Sequence, residues 1–276
     1  MNILAGGLAI ELKLKYIKNF KNISLFETLE APSFHLISCL SLPSFSKKRL
    51  IDKTEYFELY ETEIGKLQLQ YANEKLLGAI LYQEKTILIS INSDCFETEY
   101  LLSQYAFVYW IKNYTNSIYI HSSSVCYENS GILFCAKSGV GKSTQRRLWE
   151  TYGEALCIND DKNVLDFTDK EIQLMPNPWA GKHFKCINRS APLKAIVFLT
   201  RGVENKVEDL SLKKAFPLLL GQLQLPTFAG SDAWSDSLDI LMSLPMVLFH
   251  CNMEEDAFHC LEKELRKRGV FDETKE

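Results

Sequence analysis

Alternation of apolar and polar residues predicts strands through most of the first 95 residues. Over residues 10–17 (IELKLKYI), apolar and charged side chains alternate along most of the segment, as they do in a strand with one buried face. Five further segments have the same character, and short polar turns separate several of them. They are residues 34–42, 55–61, 66–71, 76–82 and 86–91. We predict a meander of antiparallel strands here, with a loop over residues 43–53, where basic residues cluster.

After residue 95, helical spacing and strand-like runs alternate. Apolar residues recur at helical spacing over residues 96–113, and the apolar run 195–199 is typical of a strand buried on both faces. The other predicted elements are strands at 117–120, 131–135, 155–158 and 246–250, helices at 143–151, 212–223, 235–242 and 254–267, and a hairpin at 164–167 and 171–175. This alternation predicts an α/β layer architecture, α+β overall, with a β-rich N-terminal region over 1–95 and a second region over 96–276.

Composition narrows the classes of partner. The chain has 276 residues, of which 46% are hydrophobic and 24% charged, as in a folded protein with a sizeable core. Its 31 Lys and Arg against 35 Asp and Glu give a net charge of −4, so there is no basic excess to neutralise nucleic-acid phosphates. We therefore predict no nucleic-acid partner.

The same data favour a cytoplasmic protein that does not enter a membrane. The longest apolar stretches contain Pro and polar residues, whereas a spanning helix needs about 20 mostly apolar residues. The eight cysteines include no Cys-x-x-Cys pair, and several lie in apolar, strand-like runs, which is typical of buried, reduced thiols. We predict no membrane partner.

The most specific motif is AKSGVGKST at residues 136–144, between a strand-like run and a predicted helix. Small residues let successive backbone N–H groups surround an anion, and the helix N-terminus adds its positive dipole end. Lys142 supplies charge for outer phosphates, and Ser143 offers Mg²⁺ a hydroxyl, with Thr144 a less favoured ligand. The strict pattern opens with Gly, where this chain has Ala136. The predicted nucleotide-binding residues are Lys137, Ser138, Gly139, Val140, Gly141, Lys142, Ser143 and Thr144.

Two carboxylates and a histidine are the candidate partners of this motif. Asp160 and Asp161 follow the strand predicted at 155–158, and α/β folds place ligand chemistry at the carboxyl ends of strands. Mg²⁺ prefers oxygen ligands and a hydroxyl nucleophile needs a base, so two adjacent carboxylates can divide these tasks. An Asp-Asp pair is also common in surface turns. His121, after the strand-like SIYI, either has a structural role or reaches the metal or the transferred phosphate.

Taken together, IHSSSVCYENSGILFCAKSGVGKST and CINDDKNVL resemble the catalytic core of HPr kinase/phosphorylase, and they are similar also to the ATP-dependent phosphoenolpyruvate carboxykinase core. The resemblance covers residues 121–164. Residues 177–199 and the opening LAGGLAIEL resemble HPr-kinase-like bacterial proteins that often accompany peptide-modification genes, some of them similar to lasso-peptide serine kinases. The resemblance implies a P-loop kinase core over residues 96–276.

The resemblance also implies roles for single residues. Lys142 would contact the β- and γ-phosphates, and Ser143 would bind Mg²⁺. Asp160 would be the general base for a substrate hydroxyl, Asp161 would help to hold the metal or Lys142, and His121 would lie beside the phosphate or the metal. The implied cofactors are ATP and Mg²⁺. The implied activity is that of a serine kinase-like phosphotransferase acting on a hydroxyl of a peptide or protein, with a precursor peptide as one candidate.

Two other functions remain open from the sequence. One is a nucleotide-binding accessory protein for peptide modification, and the other is a small-molecule kinase or carboxykinase-like enzyme. The N-terminal half differs from the N-terminal domain of HPr kinase, and the carboxykinase's oxaloacetate-binding arginines cannot be placed. The sequence leaves open the direction of transfer, assembly into a homo-oligomer and the role of Lys182, which either points into the site or is solvated.

Overall fold

The computed structural model describes residues 1–181, 183–223 and 235–271, apart from the side chains of Lys48 and of residues 235–238. It divides into two compact units, the first covering Met1–Thr115 and the second the described residues from Asn116 onward. The first unit extends past residue 95 because helix α1 (Phe96–Tyr114) packs on strands of the N-terminal sheet. Within the described ranges, no helix has the length and apolar character needed to cross a bilayer.

The first unit is an eight-stranded sheet with α1 packed on it. Its strands in chain order are β1 (Asn2–Ala5), β2 (Leu8–Lys13), β3 (Phe34–Ser38), β4 (Lys47–Lys53), β5 (Phe57–Thr62), β6 (Gly65–Ala72), β7 (Lys75–Gln83) and β8 (Thr86–Ile91). The order across the sheet is β1-β2-β3-β8-β7-β6-β5-β4, and β4 to β8 form an antiparallel meander, of which β5 to β8 were predicted. Leu36, Ile87 and Trp110 are fully buried in its core.

Three predictions for this unit are wrong. Strands β2 and β8 both pair with β3 in parallel, because the long segments between these strands allow crossover connections. Residues 47–53 form an edge strand rather than a loop, and their basic side chains are of the kind that keeps an edge from further pairing. The strand predicted over 10–17 ends at Lys13, and Ile17–Asn19 forms a 3₁₀ turn.

The second unit combines a nine-stranded sheet with four helices among its described residues. Its elements are β9 (Ser117–His121), β10 (Ser123–Tyr127), β11 (Ser130–Cys135), α2 (Lys142–Tyr152), β12 (Leu156–Asn159), β13 (Lys162–Asp166), β14 (Gln173–Met175), β15 (Ala191–Arg201), β16 (Lys206–Asp209), α3 (Leu212–Leu220), α4 (Ser235–Met242), β17 (Met246–Cys251) and α5 (Glu255–Lys267). Strands β10 and β16 were not predicted. The helix predicted over 212–223 ends at Leu220.

The central strands of this sheet are buried on both faces. Strand β15 pairs in parallel with β11 on one side and with β17 on the other. Ile132 and Phe134 of β11 pack in one cluster with Trp149 of α2, whereas Leu133 packs in the opposite cluster with Leu219 of α3. The run 195–199 likewise alternates between the two clusters, as predicted. Because the three strands are parallel, their carboxyl ends lie at one edge of the sheet.

A two-stranded antiparallel ribbon brings two other segments of this unit together. Strand β9 pairs with β13, and β10 pairs with β12. His121 pairs with Lys162, and Ser124 pairs with Asn159. Two residues separate these pairs on each side, so the register of the pairing is the same before and after the gap. In that interval the Ser122 N–H donates to the Asp161 carbonyl oxygen at 3.1 Å. Residues 160 and 161 therefore form a bend between β12 and β13 that the pairing on both sides holds in place.

Candidate functional site

The loop of residues 136–141, here the glycine loop, joins β11 to the N-terminus of α2. Gly139 has φ +79° and Gly141 has φ +136°, a region that residues with a Cβ rarely adopt. Space is not the constraint, since a Cβ at either position would meet no atom within 4 Å. The Arg201 guanidinium, at the end of β15, donates to the Gly139 carbonyl oxygen at 2.6 Å. The backbone conformation, and not a lack of space, therefore requires glycine at these two positions. The hydrogen bond from Arg201 connects the loop to the end of β15.

The glycine loop and the two aspartates border one cavity of about 350 Å³, here the phosphate cavity. Its lining residues are His121, Ser138, Gly139, Gly141, Lys142, Ser143, Thr144, Asp160, Asp161, Gly181 and His183. One wall carries the backbone N–H groups and the positive dipole end of α2, and the other carries carboxylates and imidazoles. A cavity built in this way can hold a phosphate group between a cationic wall and an acidic one.

Lys142 brings a buried ammonium to the cationic wall. Its side chain is 8% exposed, and Nζ donates to the Ala136 carbonyl oxygen at 2.8 Å. Burial lowers the pKa of Lys142, and the nearby charge of Asp161 opposes that shift. An ammonium has three donors, so this bond to the loop leaves Lys142 able to donate to a ligand as well.

Asp160 and Asp161 are adjacent in the chain and lie in different surroundings. The Asp160 side chain accepts the Gly181 N–H at 2.7 Å through Oδ1, and the residue is 3% exposed. Asp161 Oδ1 lies 3.0 Å from His121 Nε2, and its Oδ2 lies 3.5 Å from Lys162 Nζ. One carboxylate is therefore held by a backbone donor and the other by two side chains.

Their pKa values are shifted in opposite directions. Burial raises the pKa of Asp160, although the Gly181 N–H and the charge of Arg146 oppose the shift. Burial would raise the pKa of Asp161 too, but the hydrogen bond from His121 and the charge of Lys162 outweigh it, so this pKa is lowered. Neighbouring acids with diverging pKa values are the usual basis for separate roles in proton transfer and charge stabilisation. Asp160 is therefore the stronger base of the pair, and Asp161 stays ionised to a lower pH.

A buried polar network fixes this part of the ribbon. Asn159 Oδ1 accepts the backbone N–H groups of Asp161 and Lys162, and Asn159 Nδ2 donates to the Asn177 and Trp179 carbonyl oxygens. Asn163 Oδ1 in turn accepts the Ser124 hydroxyl at 2.6 Å. Fully satisfied buried networks hold one geometry, because each lost bond would leave an unpaired polar group. The aspartates therefore sit on a rigid support.

The raised pKa of Asp160 predicts a pH-dependent effect on stability. An acid whose pKa is higher in the folded than in the unfolded state lowers the free energy of unfolding as the pH rises through these two values. Asp160→Asn removes this cost, and its side-chain oxygen can still accept the Gly181 N–H. We expect the variant to melt at a higher temperature than the wild type at about pH 7–8, with the gain shrinking toward about pH 4. Thermal unfolding at both pH values measures this, and an equal difference at both would contradict it.

Gly181 lies against both carboxylates. A Cβ at this position would come within 2.7 Å of the Asp161 Cβ and 3.3 Å of the Asp160 Oδ1. We expect Gly181→Ala to lower stability by about 1–3 kcal/mol, since the segment must move to make room for the new methyl group. Denaturant unfolding measures the loss.

Gly221→Ala is the matched control for this change. Its Cβ would make only ordinary contacts, at 3.5 Å and beyond, and Gly221 does not line the phosphate cavity. We expect the control to change stability by less than about 0.5 kcal/mol. Equal behaviour of the two variants would show that the fit of Gly181 against the aspartates is unimportant.

Most of the sequence-predicted site residues meet at the phosphate cavity, with two exceptions. Lys137 is exposed and, like Val140, does not line this cavity. Lys182 lies outside the described residues. Within residues 179–183 the sequence suggested a role for Lys182 alone, and it assigned none to His183, which lines the cavity, or to Asn159, whose side chain supports the aspartates. The sequence does carry a signal for His183. The residue follows a segment that contains Pro and Gly, and tight turns in such segments can return a side chain toward a site.

The donors in the phosphate cavity fit Mg²⁺ bound together with a phosphate. Asp161, with its lowered pKa, and the exposed Ser143 hydroxyl both line the cavity and offer oxygen ligands. No group of three or more His, Cys, Asp or Glu side chains suited to a metal occurs in the described part of the chain. Mg²⁺ commonly uses one or two protein oxygens plus substrate phosphates and water, so the small donor set suits it.

Comparisons with known proteins give distant structural matches and no match in sequence. No protein-family model and no curated protein matches the sequence. Among solved structures, the chain is similar to the Hpr(Ser) kinase/phosphatase from Coxiella burnetii, with a TM-score of 0.35 and 10% identity, over 55% of this chain and 90% of that chain. A likeness at this level carries no argument about activity, so the geometry of the phosphate cavity has to support any function on its own.

Proposed function

We propose that this protein is an ATP- and Mg²⁺-dependent kinase that transfers a phosphoryl group to the hydroxyl of Ser in a peptide or protein. One observation carries the proposal: the glycine loop with the N-terminus of α2, and the acidic pair Asp160 and Asp161, line the same cavity. Phosphoryl transfer needs positioning and charge neutralisation more than covalent chemistry, and this cavity offers both.

Each residue has a defined task in the proposed reaction. Asp160 accepts the proton of the acceptor hydroxyl as the new O–P bond forms and the bond from the terminal phosphorus to the nucleoside diphosphate breaks. Lys142 and the backbone N–H groups of the glycine loop stabilise the charge on the phosphate oxygens. His121 orients Asp161 through their 3.0 Å contact. When bound, Mg²⁺ would be held by Ser143 and Asp161 and would neutralise phosphate charge.

Mass spectrometry tests the activity directly. The protein is incubated with Mg·ATP and a pool of Ser-containing peptides, including candidate precursor peptides, beside the same peptides with Ser replaced by Ala. We expect the mass of one phosphate to be added to Ser peptides only, with loss of the product when EDTA removes the metal. If no peptide is modified but a small hydroxyl compound is, the acceptor class is wrong. If ATP neither binds nor turns over, the proposed function itself is wrong.

A further inference from the structure

A second cavity, of about 440 Å³, adjoins the phosphate cavity at the same edge of the sheet. The two share Gly139, Gly141 and Thr144 among their lining residues. The second cavity is also lined by Val140, Gln145, Arg201, Gly202, Cys251, Asn252, Met253 and Glu254. A larger cavity of about 700 Å³ beside α3 shares no lining residue with the phosphate cavity. A ligand extending from the phosphates past Thr144 therefore enters the second cavity.

Gln145 lines this second cavity and carries an unpaired side-chain acceptor. It lies in the first turn of α2 and is 1% exposed. Its Nε2 donates to the Asn252 carbonyl oxygen at 3.3 Å, which fixes the orientation of the amide. Its Oε1 is buried and has no hydrogen-bond partner among the described residues. Buried acceptors are nearly always paired, so this oxygen points to a ligand that donates to it.

Two other lining residues suit a flat ring. The Arg201 guanidinium is anchored on the Gly139 carbonyl oxygen and is otherwise exposed, so its planar face can stack on an aromatic ligand. Met253 is 70% exposed on the segment after β17, and its thioether can contact a ring edge. An aromatic ligand in this cavity would cover both side chains.

We propose that the second cavity, here the base cavity, binds the nucleobase of the substrate nucleotide and that Gln145 selects adenine. This inference rests on the proposed function, because it places the nucleotide's phosphates in the phosphate cavity. The exocyclic amino group of adenine donates a hydrogen bond, and the buried Gln145 Oε1 accepts it once the side chains around it shift to open the wall of the cavity. Guanine and hypoxanthine carry a carbonyl oxygen at that position, which would set two acceptors against each other.

Competition binding tests the selection of adenine. Affinities of wild-type protein for ATP, GTP, ITP and inorganic tripolyphosphate are measured in Mg²⁺, beside those of Gln145→Met. We expect wild-type protein to bind ATP at least about tenfold more tightly than GTP or ITP, and Gln145→Met to lose most of that preference. The ratio of ATP to GTP affinity reports on the base, since both ligands carry the same triphosphate. Gln83→Met, which replaces a glutamine of the other unit, is the control and should retain the preference.

The outcomes separate this inference from the proposed function. Equal binding of ATP, GTP and ITP by wild-type protein would overturn the selection of adenine. So would a preference that survives in Gln145→Met while this variant still binds tripolyphosphate. If tripolyphosphate competes as well as ATP, the base contributes nothing, and the base cavity is wrong although the phosphate cavity stands. If none of the four ligands binds, the proposed function fails, and this inference fails with it.

Discussion

Replacing Asp160 by Asn should lower the rate of phosphoryl transfer by about 10²–10⁴-fold, the usual contribution of a positioned general base. An amide cannot accept the hydroxyl proton, but it can still accept the Gly181 N–H that holds Asp160 in place. The cationic wall of the phosphate cavity is untouched, so we expect the affinity for Mg·ATP to change by less than about threefold. Single-turnover transfer and nucleotide binding, measured on the same preparation, give the two quantities.

This substitution also separates the kinase from its main competitor. A nucleotide-binding accessory protein would transfer no phosphate in either form and would hold its partner equally well with Asp160 or Asn. If the variant transfers phosphate at the wild-type rate, Asp160 is not the base. If transfer and nucleotide affinity fall together, the side chain acts in binding rather than in proton transfer.

The second large effect is expected at Lys142. We expect Lys142→Ala to slow transfer by about 10²–10³-fold, because a preorganised donor to the phosphate oxygens is lost from a buried site. Affinity for Mg·ATP should also fall, since Lys142 contributes charge to the bound state as well. Initial rates at saturating ATP, together with binding curves, distinguish the two losses.

Lys137 provides the matched control for this experiment. It lies on the same glycine loop and carries the same charge, but its side chain is exposed and does not line the phosphate cavity. Lys137→Ala leaves the backbone N–H in place, so we expect transfer within about twofold of wild type. Equal losses in the two variants would show that general positive charge, and not the position of Lys142, matters.

Local sequence signals were sufficient for the centre of the second unit. The apolar run before Ala136 and the helix after it were predicted to within a residue or two of β11 and α2. The glycine positions identified the loop itself, because φ values such as those of Gly139 and Gly141 are rare for other residues. The position of the Asp-Asp pair just after a strand was likewise readable from the apolar run before it.

Long-range pairing could not be predicted in the same way. Strand β10 (SSVCY) carries consecutive serines, and its strand character depends on burial and on pairing with β11 and β12. The parallel pairing of β3 depends on segments far away in the sequence. Gly181 and Gln145 are important through neighbours some twenty to over one hundred residues away, at Asp160 and Asn252. No local pattern encodes such contacts.

The ribbon that carries the aspartates limits how this chain can change in length. A one-residue insertion next to the aspartates, in either strand of the ribbon, would shift the pairing of His121 with Lys162 relative to that of Ser124 with Asn159. The two carboxylates would then leave their present neighbours. The segment that bears Gly181 and His183 is bonded to the ribbon as well, since the Asp160 N–H donates to the Lys185 carbonyl oxygen at 3.1 Å and Asn159 forms a bridge with Cys186. Among homologous sequences, gaps should therefore avoid both the ribbon and the residues that contact it between Asn177 and Ile187.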